Sequence, residues 1–203
     1  MANKHKTTQQ KLNKKRCVFF EKDTIELEEQ LAVASQAGNV LNSVHNGTFK
    51  FGKSKKDEQY HFFLLTPEKG NNSESWIYYD MQKLGADPVT VSGTTFFSPS
   101  YILLLNTDLL REKSALIEYF YQYRNYRILR RMKRNTVSSA FFVFALTLLC
   151  FFSQGWELAF NLFFLACSCA FLLHFVLSLM HFSKSCKKKY GIVPFKKPRR
   201  PGY

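Results

Sequence analysis

Five histidines and five cysteines are the side chains of this 203-residue chain best suited to metal or nucleophilic chemistry, so their spacing comes first. His5, His45, His61, His174 and His181 form no HxH, HxxxH or HExxH pair, the spacings that bring two imidazoles to one ion. Cys17, Cys150, Cys167, Cys169 and Cys186 are odd in number and contain no CxxC pair. That pattern argues against a secreted disulfide framework and against a four-cysteine zinc site. The chain also lacks GxSxG, the phosphate-cradling GxxxxGK[ST], GxGxxG and a paired-acid pattern. Cys17 sits among cations, which favour a thiolate, but no histidine stands near it in sequence to act as a base. No catalytic residue, cofactor site or metal site is therefore read, and the chain is expected to act by binding rather than by catalysis.

The remaining dense chemistry is charge. Arg130, Arg131, Lys133 and Arg134 place four cations in five positions, and no further charge appears until Glu157. The net charge of +14 is unevenly spread: residues 1–110 hold 13 Lys/Arg against 12 Asp/Glu, and residues 111–203 hold 16 against 3. An asymmetry of this kind points to nucleic acid or to a membrane. Eleven of the 21 Phe fall between Phe141 and Phe182, which decides for the membrane.

Residues 136–152 and 158–182 are free of Lys, Arg, Asp and Glu, separated by Ser153-Gln154-Gly155-Trp156-Glu157. As one helix the 47 residues would run ~70 Å at 1.5 Å per residue, more than twice a ~30 Å hydrocarbon core, so the chain must turn. A transmembrane helical hairpin over 136–182 is predicted, with its turn at the polar break. Trp156 there suits an interfacial belt, apolar in its ring and wet at its N–H. Arg124, Arg127, Arg130, Arg131, Lys133 and Arg134 precede the first span, Lys187, Lys188 and Lys189 follow the second, and the connecting loop has no cation. The positive-inside rule then places both flanks and both termini in the cytoplasm. Anionic lipid headgroups are the partners these cations imply. Tyr119–Arg127 interleaves rings with cations and could stack bases. Its place directly before an apolar run favours lipid, and nucleic acid is disfavoured.

The elements that carry these residues are read as follows. Residues 1–22 are a basic tail, expected to be disordered. Residues 23–107 form a small cytoplasmic α+β domain of the order helix, antiparallel strands, long helix. Its first helix starts at Asp23 or Thr24, shows Leu27, Leu31, Ala34, Leu41 and Val44 on one face, and ends at His45-Asn46-Gly47. Thr48–Gly52 and Tyr60–Thr66 are read as a hairpin around a charged loop, with Trp76–Met81, Val89–Val91, Thr94–Phe97 and Tyr101–Leu105 as further strand-like runs. Residues 108–135 form a basic, aromatic stalk helix capped by Asp108, and residues 183–203 a basic cytoplasmic tail with Cys186 as a site open to acylation.

The function expected from this plan is recognition of a protein partner at the membrane, which the cytoplasmic domain would regulate or block. Lys53, Lys55, Lys56, Asp57 and Glu58 offer both signs of charge for that contact. The plan is similar to that of bacterial immunity and conjugative entry-exclusion proteins, a likeness of architecture without a shared motif, and it implies a bacterial inner membrane. Alternatives are an accessory subunit that binds a membrane complex through its hairpin, a homo-oligomer, and an enzyme whose site shows no known motif.

Overall fold

The computed structural model describes residues 23–53, 59–65, 75–92, 101–191 and 196–201. The chain forms two units, residues 1–124 with 199–203, and residues 125–198. The basic N-terminal segment, Lys55, Lys56, Asp57 and Glu58, and the strand expected at Thr94–Phe97 lie outside the described residues.

The first unit is α+β. Its elements are α1 (Thr24–Gln36), β1 (Asn39–His45), β2 (Thr48–Lys53), β3 (Tyr60–Leu65), α2 (Ser75–Lys83), β4 (Asp87–Ser92), β5 (Tyr101–Asn106), α3 (Thr107–Glu112) and the start of α4 (Ser114–Phe152). The strands make one sheet in the order β2-β1-β4-β5-β3. β1 and β4 run parallel and the other neighbours antiparallel, so the sheet is mixed where an antiparallel one was expected. Both faces are covered. Alternate side chains of β3 and β5 go to opposite sides, as period two requires. Phe63, Leu65, Leu103 and Leu105 pack with Ile77 and Met81 of α2 and Leu116, Ile117 and Phe120 of α4. Phe62, Leu64 and Ile102 pack with Leu27 and Leu31 of α1 and with Leu41, Val44 and Phe49.

Four local readings change, each for a physical reason. α1 stops at Gln36, where Gly38 takes φ +79° and ends the helix, and Leu41 and Val44 belong to β1 instead. A bulge between Leu41 and Ser43 puts both of those residues inward at a spacing of three, which imitates a helical face. Asn46-Gly47, with φ of 49° and 74°, is the two-residue turn joining β1 to β2, the primed hairpin geometry that Asn-Gly favours. β2 and β3 are not partners: β2 pairs with β1 and β3 with β5, at opposite edges of the sheet. Trp76–Met81 is helical, because its fully buried residues, Ile77 and Met81, stand four apart. The cap before α4 comes from Asn106, whose Oδ1 accepts from Leu109 N–H at 2.7 Å, and the helix restarts at Ser114 after Lys113.

The second unit holds the rest of α4 and α5 (Gly155–Tyr190). The turn between them is only Ser153-Gln154, with Gly155 at φ +58°, and Asn161 Nδ2 donates to Ser153 Oγ at 2.6 Å to close it. Thr136, Thr147 and Ser153 donate their hydroxyls to carbonyls one turn back, which satisfies them without water. Both helices are long and apolar enough to cross a membrane. Only 6% and 11% of their apolar windows are buried, unlike the core helices of a soluble protein. Phe141, Phe151, Phe152 and Phe160 are all well exposed.

One interaction closes the free edge of the sheet. β3 is an edge strand, and an edge leaves every second backbone group without a ladder partner. Here side chains take those groups. Ser35 Oγ accepts from Tyr60 N–H at 2.8 Å, Tyr121 Oη donates to the Phe62 carbonyl at 2.8 Å, and Glu28 Oε1 accepts from Leu64 N–H at 2.9 Å. Arg124 donates to the Leu64 carbonyl at 3.1 Å and pairs with Glu28 through both guanidinium nitrogens, its Nη2 lying 3.2 Å from Oε2. Glu28 and Arg124 are 4% and 2% exposed, and the guanidinium lies over Phe63 at 4.7 Å and Tyr121 at 5.2 Å. Removing one member of such a pair leaves a buried charge uncompensated, at a cost of about 3–5 kcal/mol. Arg124→Met is therefore expected to lower the unfolding free energy of the detergent-solubilised chain by that amount, read from denaturant titration. Arg124→Met with Glu28→Leu is expected to recover only part of it, because Leu64 still loses both its partners. Full recovery would show that the edge contacts contribute little.

Candidate functional site

The residues that the sequence groups as interface cations do not share one environment. Arg124 is the exception already described: it is an internal partner of Glu28 and belongs to the first unit. Glu28, in turn, faces inward, where the sequence suggested only an acidic first turn suited to the helix dipole. Arg130, Lys133 and Arg134 are exposed on α4, and Arg127 and Arg131 are half-buried. Lys187, Lys188 and Lys189 are exposed in the last turn of α5, where positive charge complements the helix C-terminus. Gly191 at φ +60° ends that helix. Trp156 is 87% exposed at the start of α5.

The two cationic flanks stand at different distances from the turn. Ser138 and Phe142 of α4 line a groove of about 500 Å³ with Phe164, Cys167 and Ser168 of α5. Ser138 precedes Phe152 by 14 residues and Ser168 follows Gly155 by 13, as expected of antiparallel neighbours counted outward from a tight turn. By the same count Arg134 stands 18 residues before Phe152, whereas Lys184 stands 29 after Gly155. At 1.5 Å per residue these are ~27 Å and ~44 Å from the turn. Lys133 and His174 are each 19 residues out, ~28 Å, so His174 is level with the α4 cations rather than at the middle of an apolar span. Leu173, Leu177 and Met180, all more than half exposed, fall at that level too.

The other candidate residues are dispersed. His45 sits at the β1–β2 turn with its Nδ1 2.9 Å from Ser92 Oγ, and His61 lies exposed on β3. Cys150, Cys167 and Cys169 lie along the apolar helices. Cys186 is fully buried, which removes it as an accessible acylation site. Lys53 is exposed at the end of β2; the rest of its charged cluster lies outside the described residues.

Two features of the first unit were not foreseen. Tyr78, Tyr79 and Tyr101 gather on its surface, with ring centroids 5.5 Å apart for Tyr78–Tyr79 and 4.6 Å for Tyr78–Tyr101. Tyr79 is 58% exposed and Tyr101 39%. Beside them Arg200 reaches Asp80 at 3.5 Å, so this tail cation engages the first unit rather than serving only as free charge. Burial pushes the Tyr119 phenol above its ordinary value, with nearby Tyr123 adding to the rise and Arg200 opposing it. Tyr78 and Tyr101 are 23 residues apart, and reading Trp76–Met81 as a strand hid the helical turn that brings them together. No family model, no curated protein and no solved structure matches this chain.

Proposed function

We propose that the chain is an integral membrane protein that crosses the bilayer twice and holds its α+β domain and both ends on the cytoplasmic side. There the domain recognises a protein partner and regulates or blocks it without catalysis of its own. The exposure of α4 and α5 carries this reading. Large apolar side chains such as Phe141, Phe144 and Phe163, each more than 60% exposed, are far costlier in water than in hydrocarbon. Flanks rich in Arg and Lys, joined by a turn without cations, favour the cytoplasmic side for the domain. The surface formed by Tyr79 and Tyr101, with Lys53 elsewhere on the domain, supplies the mixture of rings and charge found in protein interfaces. An exclusion-like or immunity-like role in a bacterial inner membrane follows the likeness of plan.

A second reading, an accessory subunit that binds through its hairpin, is favoured by one observation. Ser138, Ser139, Cys167 and Ser168 line the groove between α4 and α5, and small residues let another helix approach closely. The two readings predict opposite outcomes. Replacing residues 136–182 by an unrelated hairpin of equal length is expected to leave crosslinking to the partner intact. Combining Lys55→Glu, Lys56→Glu and Tyr79→Ser in the full chain is expected to reduce crosslinking by about tenfold while the membrane level stays constant, a loss of the size seen when a central interface anchor is removed. Loss on the hairpin exchange, with no effect of the triple variant, would favour the accessory subunit.

A further inference from the structure

α4 carries a groove whose lining changes from cationic to apolar along one helix face. Tyr126, Arg130, Lys133, Arg134, Val137 and Phe141 line it, and its volume is about 540 Å³. Their spacings of four, three, one, three and four residues keep them on a single stripe. Arg130, Lys133 and Arg134 are exposed, and Val137 and Phe141 are 45% and 70% exposed.

We propose that this groove is a binding site for one anionic phospholipid. Its phosphate is held by Arg130, Lys133 and Arg134, and the upper part of an acyl chain lies along Val137 and Phe141. Like charges three and four residues apart repel along a helix, and the nearest acid on α4 itself is Glu118, twelve residues before Arg130. A lipid phosphate supplies the counter-charge that the helix sequence withholds. The order of the lining fits a lipid rather than a free anion. The cations lie farther from the turn and the apolar residues nearer to it, which is the order of headgroup and chain in a leaflet on the cation side. The Tyr126 hydroxyl, one turn beyond Arg130, stands where a headgroup extends past its phosphate. Three cations on one phosphate favour a lipid of net negative charge, such as phosphatidylglycerol, over a zwitterionic one, each contributing attraction near the surface.

This site rests on the membrane reading above, so its test must separate the two. The full chain is reconstituted in phosphatidylcholine nanodiscs containing phosphatidylglycerol at one part in ten, and the lipids retained after gentle extraction are counted by native mass spectrometry. Flotation with vesicles of pure phosphatidylcholine reads insertion independently. The wild-type chain is expected to float in both cases and to retain one phosphatidylglycerol with about a tenfold preference. Arg130→Gln, Lys133→Gln and Arg134→Gln together are expected to abolish that preference and leave flotation unchanged. Lys187→Gln, Lys188→Gln and Lys189→Gln, an equal loss of charge elsewhere, are expected to keep it. Equal loss in both triple variants would overturn the site in favour of diffuse attraction. Displacement of the lipid by millimolar inorganic phosphate would overturn the assignment to a lipid. Failure of the wild-type chain to float would overturn the membrane reading itself.

Discussion

A guanidinium and a carboxylate that meet at a sheet edge hold the first unit together. Arg124 and Glu28 come from helices 96 residues apart in sequence, and both bond to Leu64 on the edge strand β3. Two buried charges are costly to desolvate, and a pair of this kind seldom stabilises more than an apolar pair of the same volume. Its value here lies in what else it satisfies. The carboxylate takes the Leu64 N–H and the guanidinium takes the Leu64 carbonyl, groups that an edge strand otherwise presents to any passing chain. Ser35 and Tyr121 do the same at Tyr60 and Phe62, so the edge is closed along its length by side chains of α1 and α4. The pair thus fixes α1 and the head of α4 against one strand and removes a route to edge-to-edge aggregation.

α4 serves two solvents. Leu116, Ile117 and Phe120 belong to the core beneath the sheet, while Phe141 and Phe144 on the same helix are open to their surroundings. Between them, cations recur from Arg124 to Arg134, and their roles divide by burial. Arg124 is neutralised by a protein carboxylate, whereas Arg130, Lys133 and Arg134 form an exposed stripe suited to phosphate. The offset of the lysines on α5, about 16 Å farther from the turn than Arg134, leaves Leu173, Leu177 and Met180 level with that stripe. Apolar and cationic surfaces meeting at one depth are what the boundary between acyl chains and headgroups demands.

The apolar helices were legible in the sequence because their signal is long: runs of 17 and 25 residues without charge leave no competing pattern. The sheet was legible only in its separate strands. β5 announced itself by Tyr-Ile-Leu-Leu-Leu, but partners depend on contacts far apart in the chain, so β2 and β3 looked like a hairpin and are opposite edges. A single bulged residue, Asn42, made a strand imitate a helix. Arg124 was hidden for the same reason: its neighbours are cations at helical spacing, and only the fold brings Glu28 to it. The tyrosine surface on α2 and β5 needed both the correct element and its packing.

The central claim is that the domain and both cationic flanks share one side of a membrane, with the turn at Ser153-Gln154 on the other. Single cysteines at Gln154 and at Lys83, both exposed, test it in intact cells once Cys17, Cys150, Cys167, Cys169 and Cys186 have been replaced by alanine. A membrane-impermeant maleimide added from outside is expected to label position 154 and to reach position 83 only after the cells are opened. Equal labelling of both positions in intact cells, or labelling of position 83 alone, would contradict it.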